Sequence, residues 1–350
     1  MAVPEPSPSP SSPPSVAESS PLRHGFPFPF TDERFRYSTN VEPARIPVHT
    51  AAGRWGAAVV DIDGEYHREL TERARILAQD PTRHAVPTHM RTAAWDATLI
   101  LLRELGASYP ADMFLTRTGT DRWHWENRRL GVEADLVYGE DATLPGGPLR
   151  WVANQVQEDV VLLDERAGQL WVDAGVVTFA AAWSFGFDLG MSFLEIHGPV
   201  PRIHAEGVIS RAQEFIRRLQ PHQPYRRTNW GMTVGRRLDV SLERYPDWAP
   251  DRARLQRADD EAFGRLLHLR VEVQHLMRLP DSGAVMFLIR TYLLSFEQLA
   301  AVEPWRRRTA DVLAHLPGDV ADYKGLADFR DRAVAWLRAA GPPPAALAPN

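Results

Sequence analysis

The sequence predicts an α+β fold, with an antiparallel sheet flanked by helices and a helical layer ahead of it. Three observations lead there. Helical apolar periods occupy Glu65–Gln79 and Thr92–Leu105. Alternating, turn-separated runs follow at Val160–Phe179 and Arg270–Tyr292. Helical signals close the chain from Ser295. Helices, then strands with one helix among them, then helices again is the order of an α+β protein rather than of a regularly alternating parallel sheet.

Each element has its own reason. Residues 1–24 are rich in proline and serine and hold no apolar stretch, so they read as a disordered tail and not as a signal peptide. Residues 25–340 read as one α+β domain, helical to about 150 and sheet-based from about 151, with 341–350 as a second flexible tail. Phe26–Pro47 is irregular, because Pro27, Pro29, Pro43 and Pro47 interrupt it, and Ile46 should be extended ahead of Pro47. The first helix shows Tyr66, Leu70, Ala74 and Leu77 on one face. The second runs through Trp95, Leu99, Leu102 and Leu105 and is expected to stop at Gly106. Asp121–Gly147, polar, aromatic and glycine-rich, reads as a long connection. Val160–Leu163 and Gln169–Phe179 form two strands around a turn at Asp164–Gly168. Ala205–Leu219 is an amphipathic helix with Val208, Ala212, Phe215 and Leu219 inward. Strand-like residues return at Asn229–Val240, and a short helix follows at Ala258–Leu267. The hairpin Arg270–Tyr292 turns at Pro280-Asp281-Ser282-Gly283. Ser295 and Gln298 have the spacing of a capping box, Pro304 suits the first turn of a helix reaching Leu316, and Leu326–Leu337 forms the last helix.

Composition removes several function classes. With 350 residues, 44% apolar content and 11 tryptophans the chain can build a large core. A net charge of -5 and a pI near 6.2 argue against a general nucleic-acid binder. No apolar run of about 18 residues occurs, so neither a membrane span nor a membrane partner is expected, and the protein reads as cytoplasmic. The absence of cysteine excludes disulfides, thiolate nucleophiles and a Cys-ligated iron–sulfur cluster on this chain. Lys324 is the single lysine and therefore the one residue able to form a Schiff base. Neither a phosphate-binding nor a dinucleotide-binding glycine motif is present, nor a G-x-S-x-G elbow.

The hairpin carries the strongest chemical signal. Arg270, Glu272, Gln274, Leu276 and Arg278 share one strand face, and Val271, Val273, His275 and Met277 the other. The charged face is either solvated with a cross-strand ion pair, or it meets a carboxylate-bearing ligand. His197 lies in Glu195-Ile196-His197-Gly198-Pro199-Val200-Pro201, where glycine and two prolines fix the backbone. It is either a histidine hydrogen-bonded in a turn or a ligand mounted in one orientation. His204 stands seven residues on, in no standard zinc spacing. Arg226, Arg227, Asn229 and Trp230 form a compact cluster, readable as a strand entry or as a carboxylate-binding wall. Glu158 and Asp159 are adjacent at a strand start, so they point to opposite faces and do not make a shared dyad.

Several signatures then occur in one order: Gln157-Glu158-Asp159, Ala174-Gly175, Trp183, Ile196-His197-Gly198-Pro199-Val200-Pro201, Asn229-Trp230, Arg270-x-Glu272-x-Gln274-x-x-x-Arg278-Leu279-Pro280, Phe287, Ile289-Arg290-Thr291-Tyr292 and Tyr323-Lys324-Gly325. Together they resemble the heme-dependent oxidative N-demethylase family, specifically its heme-binding α-type subunit, from about Phe30 to Leu337. The resemblance implies a PAS-like core, heme b with a histidine axial ligand, and oxygen-dependent removal of an N-methyl group from a small amine. It also implies a partner reductase subunit carrying FMN and a 2Fe-2S cluster and using NADPH, hence a hetero-oligomer. The missing cysteines and dinucleotide motif fit this division of labour.

Within that frame His197 is the expected axial, metal-binding residue. Arg226, Arg270 and Arg278 are the expected partners of heme propionates or of a substrate carboxylate, with Trp230 walling the pocket. Glu272 orients these arginines or meets a cationic amine, and Asn229 stands with it as the candidate catalytic pair. One departure bears on the substrate. The family shows Pro-Ser before the tryptophan and a lysine after it. Here the stretch is Phe179-Ala180-Ala181-Ala182-Trp183-Ser184-Phe185-Gly186-Phe187-Asp188, which implies a more apolar pocket and a larger secondary or tertiary amine. The readings from other classes are a PAS-like heme or ligand sensor without turnover, and a cofactor-free binding protein.

Overall fold

The computed structural model describes residues 25–36 and 38–340, and the expectations for the two tails lie outside them. The strands are β1 (Glu42–Pro43), β2 (Val48–Thr50), β3 (Gly53–Trp55), β4 (His84–Ala85), β5 (Met113–Arg117), β6 (Arg122–Asn127), β7 (Val132–Val137), β8 (Asp159–Arg166), β9 (Gln169–Val176), β10 (Tyr225–Val234), β11 (Leu267–Arg278) and β12 (Val285–Ser295). The helices are α1 (Tyr66–Gln79), α2 (Arg91–Ser108), α3 (Pro148–Ala153), α4 (Phe185–Asp188), α5 (Phe193–Ile196), α6 (Val208–Arg217), α7 (Tyr245–Arg257), α8 (Asp260–Leu266), α9 (Phe296–Ala300), α10 (Glu303–Ala314), α11 (Gly318–Tyr323) and α12 (Arg330–Ala339). The α+β expectation holds: a seven-stranded antiparallel sheet in the order β1-β10-β11-β12-β8-β9-β4 carries helices on both faces.

The β11–β12 hairpin is the spine of this sheet. Its turn places Gly283 at φ 73°, and the Asp96 carboxylate on α2 accepts the Asp281 and Ser282 amides at 2.9 and 3.0 Å. Register fixes which residues share a face. Glu272 lies opposite Asn229 on β10 and Thr291 on β12, while Arg227 lies opposite Gln274 and Gly231 opposite Arg270. These residues define one face, called here the Glu272 face. Arg226, Trp230, Val271, His275, Arg290 and Tyr292 occupy the other, called the Arg290 face.

Apolar burial, the main driving force of folding, is divided between the faces. On the Arg290 face, α1–α3 pack on Val160, Leu162, Met286 and Leu288. Further along that face, α8–α12 cover Leu269, Val271 and Leu294. The start of the described chain joins that second core. Phe28 stacks on Trp305 at 4.8 Å, and Phe30 meets Trp230 edge-on at 4.9 Å. On the Glu272 face, Phe185, Phe193, Ile209 and Ile216 from α4–α6 cover Val161, Leu163 and Leu276.

Three expectations are corrected. The stretch read as a long connection contains β6 and β7, which join β5 in a separate antiparallel sheet. Trp123, Trp125 and Asn127 alternate onto one side, and Trp125 is fully buried. The second helix continues through Gly106 to Ser108, since a single glycine is tolerated within a helix at a cost of about 1 kcal/mol. Helix α7 was not anticipated, since Pro246 and Pro250 disguise its period. The capping box at Ser295 is present, with Ser295 and Gln298 each accepting the other's amide at 3.1 Å.

Candidate functional site

His197 is mounted by α5. That one-turn helix opens on a capping box, in which Ser192 Oγ accepts the Glu195 amide at 3.3 Å and Glu195 Oε2 accepts the Ser192 amide at 2.8 Å. His197 is the residue that ends the helix, and its Nδ1 lies 2.7 Å from the Phe193 carbonyl. A carbonyl only accepts, so Nδ1 holds the proton and Nε2 keeps its lone pair. Burial pushes the imidazole down to about 4, with the nearby charges of Arg227 and His204 acting in the same direction. The ring is therefore neutral at pH 7. The rigid mount expected from the sequence is present, supplied by the helix as much as by the glycine and prolines that follow.

Across the sheet lies a polar floor. Arg270 Nε donates to Glu272 Oε1 at 3.2 Å, and its terminal nitrogens reach Leu238 O at 2.8 Å, Phe179 O at 2.5 Å and Thr291 Oγ1 at 3.1 Å. Glu272 Oε2 accepts from Asn229 Nδ2 at 3.3 Å and Gln274 Nε2 at 3.0 Å. Arg227, beside them, gives one bond to Gln274 Oε1 at 3.0 Å and one to Thr39 O at 3.1 Å. Arg270, Glu272 and Gln274 are buried, so this face is not solvated, and its charges meet one another and backbone carbonyls.

The expected site residues do not all gather here. Arg226 faces the other way. It donates to Glu42 at 2.7 Å and Ala44 O at 2.8 Å, also bonds Gly56 O and Ile46 O, and lies over the Trp55 ring. It pins residues 42–56 to the sheet edge. Arg278 donates to Arg217 O at 2.7 Å and Ile216 O at 3.3 Å, carbonyls of the last turn of α6, and pairs with Glu165 at 3.0 Å. Trp230 packs with Phe30 and Phe35 on the Arg290 face rather than walling the Glu272 face. What brings Arg226 and Arg278 into the structure is anchoring, which consumes most of their donors.

Arg227, from the cluster at the start of β10, and Lys324, the single lysine, lie beside the floor instead. Arg227 has the strand parity of Asn229, and that was the available signal. Lys324, at the end of α11, donates to Trp230 O at 2.7 Å with its ammonium 4.6 Å from the Trp230 ring centre. Burial pushes Lys324 down to about 8, opposed by the Glu272 charge and reinforced by Arg227. Tyr323 beside it is 47% exposed and Phe187 is 70% exposed, so this edge of the floor reaches solvent. At Gly231 an added Cβ would meet nothing within 4 Å, which marks open space over the floor.

These residues fit a heme. A neutral imidazole with an oriented Nδ1–H offers Nε2 to a metal. Arg227 and Lys324 offer cations to carboxylates, and Trp183, Leu189, Ile196 and Phe287 offer apolar walls. A family model described as "Haem-dependent oxidative N-demethylase, alpha subunit-like" matches residues 52–334.

The chain belongs to this family. The matched span contains His197, Arg227, Asn229, Arg270, Glu272 and Lys324. Two of the shared signatures meet on the Arg290 face. Gln157 Nε2 donates to Glu69 at 2.7 Å and Asp63 at 3.0 Å. Arg290 pairs with Glu69 at 2.9 Å and Asp63 at 2.7 Å, and Tyr292 donates to Asp61 at 2.6 Å. Glu158 accepts the Asp61 amide at 3.0 Å, and Asp159 pairs with Arg73 at 3.0 Å, so the two adjacent carboxylates do serve different surroundings. Among the described residues, His89, Asp164 and Asp173 also bring ligand atoms within 4.8 Å of one another, but Arg166 bonds both carboxylates there. None of the described helices is long and apolar enough to cross a membrane.

Proposed function

We propose that the chain is a heme b protein with His197 Nε2 as axial ligand, and that it removes an N-methyl group oxidatively from a small secondary or tertiary amine. Family membership supports the reaction class. The observation that carries the site is His197 itself: a half-buried, neutral imidazole, held at Nδ1 by a backbone carbonyl, on the side of the sheet that bears the polar floor. In this reading the sheet and α4–α6 form a PAS-like cofactor fold.

Heme, when bound, supplies the oxygen chemistry that amino-acid side chains lack. The remaining work falls to this chain. Arg270 and Gln274 hold Glu272 in one orientation, and Glu272 accepts a hydrogen bond from the substrate ammonium. Asn229 spends Nδ2 on Glu272 and keeps Oδ1 as a second acceptor for the amine. The apolar side chains around Trp183 exclude water. With no cysteine and no dinucleotide motif here, electrons come from a partner reductase carrying FMN and a 2Fe-2S cluster and using NADPH.

The test is the visible spectrum of the full chain expressed with heme supply, beside His197→Ala. Wild type should show a Soret band, and the variant should lose heme affinity by more than about 100-fold, since even the partners of ligands are worth 10–100-fold. A wild-type chain without a Soret band ends the heme reading. A band unchanged in the variant keeps heme and moves the ligand elsewhere.

A further inference from the structure

The charges on the Glu272 face do not balance. Three cations, Arg270, Arg227 and Lys324, stand around one carboxylate, Glu272. Glu272 is already committed to Arg270, Asn229 and Gln274. Among the described residues, Arg227 bonds only the Thr39 carbonyl and the Gln274 amide oxygen, and Lys324 only the Trp230 carbonyl. Among the described residues no carboxylate stands within ion-pair distance of either. The Trp230 ring gives Lys324 a cation–π contact, but neither partly buried cation has there the anion that normally accompanies charge taken out of water. The open space at Gly231 lies on the same face as Arg227, one residue beyond the Trp230 carbonyl that holds Lys324.

We propose that Arg227 and Lys324 form a carboxylate-binding site, Arg227 through its guanidinium fork and Lys324 through its ammonium. Two sources have this chemistry: a heme propionate, or the carboxylate of an N-methyl amino acid whose amine meets Glu272. The first source rests on the heme reading, whereas the second requires only the substrate side of the pocket.

Lys324 reports on its own site, because it is the only lysine in the chain. With lysine isotopically labelled in the full-length protein, its side-chain ammonium gives one assignable magnetic-resonance signal. In the heme-free chain that signal should titrate near 8. A carboxylate landing beside it favours the charged form, so its midpoint should rise by at least one pH unit, a tenfold shift. Four additions separate the sources: heme, heme dimethyl ester, N-methylglycine and dimethylamine. A rise with heme but not with its ester assigns the site to a propionate. A rise with N-methylglycine but not with dimethylamine assigns it to substrate.

Lys324→Met and Arg227→Gln should weaken the responsible carboxylate ligand at least tenfold and leave the ester and dimethylamine unaffected, while Lys324→Arg should restore binding. Circular dichroism and thermal unfolding verify that each variant folds. Should heme fail to bind wild type, the heme reading falls alone, and the N-methylglycine arm on the heme-free chain still decides. No rise with any carboxylate, or variants that bind them as wild type does, would overturn the site.

Discussion

Both faces of the main sheet bury a charged patch, and the two patches are finished differently. On the Arg290 face the guanidinium bonds two carboxylates directly, with Gln157 bridging both and Tyr292 closing on Asp61. Arg290, Glu69 and Glu158 are all within a few per cent of complete burial. On the Glu272 face the cations outnumber the carboxylate, an edge reaches solvent, and a glycine leaves room. Charge satisfied from within the chain holds a fold together. Charge left over, beside free space and a neutral histidine with one free nitrogen, is what a ligand completes. The Arg290 face is thus closed by its own charges, whereas the Glu272 face is not.

The comparison can be broken at three points, in decreasing order of effect. Arg290→Met should be the most damaging, because it takes the buried guanidinium away from buried Glu69 and half-buried Asp63. A loss of about 3–5 kcal/mol in chemical denaturation is expected, and a loss below 1 kcal/mol would mean that the Arg290 face is wet.

Glu158 sharpens the same face. Burial pushes its carboxyl up to about 7, opposed by Arg290 and by the Asp61 amide, and its Oε2 has no hydrogen-bond partner. A folded-state value raised above the unfolded one favours the fold when the group is protonated. The contribution is therefore complete below the unfolded value near 4.5 and lost as pH rises through about 7. Wild type should lose roughly 2–4 kcal/mol more than Glu158→Gln between pH 4.5 and pH 8 in urea unfolding. His197 and His275, both depressed by burial, act in the opposite sense as pH falls toward 4 and 3, and they cancel in the difference between the two proteins. Parallel pH profiles would remove Glu158 from the account.

The smallest effect compares two glycines on the Glu272 face. At Gly175 a Cβ would stand 2.7 Å from Val160 O and 2.8 Å from Phe185 Cε2, so Gly175→Ala should cost about 1–3 kcal/mol through overpacking. At Gly231 it would meet nothing, and Gly231→Ala should change heme-free stability by no more than about 0.5 kcal/mol. The same substitution should weaken heme binding. Equal costs at the two glycines would show that no space is reserved over the floor.

Much of the fold was legible because its signals are local. The hairpin announced itself by alternation and a Pro-Asp-Ser-Gly turn, and Ser295 by its partner three residues on. The β5–β7 sheet was missed because its inward residues are tryptophans and an asparagine among charges, which look like loop when read singly. At the candidate site, the fixed mount of His197 was legible from its constrained backbone. Of the two arginines beside Asn229, Arg226 turns to the opposite face and Arg227 shares the face of Asn229. Arg226 and Arg227 are equally basic, and only strand phase separates them, which Asn229 already supplied. Lys324 reaches the site from α11, across a sequence separation no short pattern spans.

The seam between Phe28 and Trp305 has a consequence for how the molecule is made. Phe26, Phe28 and Phe30 emerge first among the described residues, yet the indole that covers two of them arrives only with α10, more than 270 residues later. Arg308 on the same helix then closes on the Phe30 carbonyl at 3.1 Å. A nascent chain therefore carries Phe26 and Phe28 without their indole until α10 is made. A product cut short before α10 keeps them exposed, which makes premature termination a route to aggregation rather than to a smaller working protein.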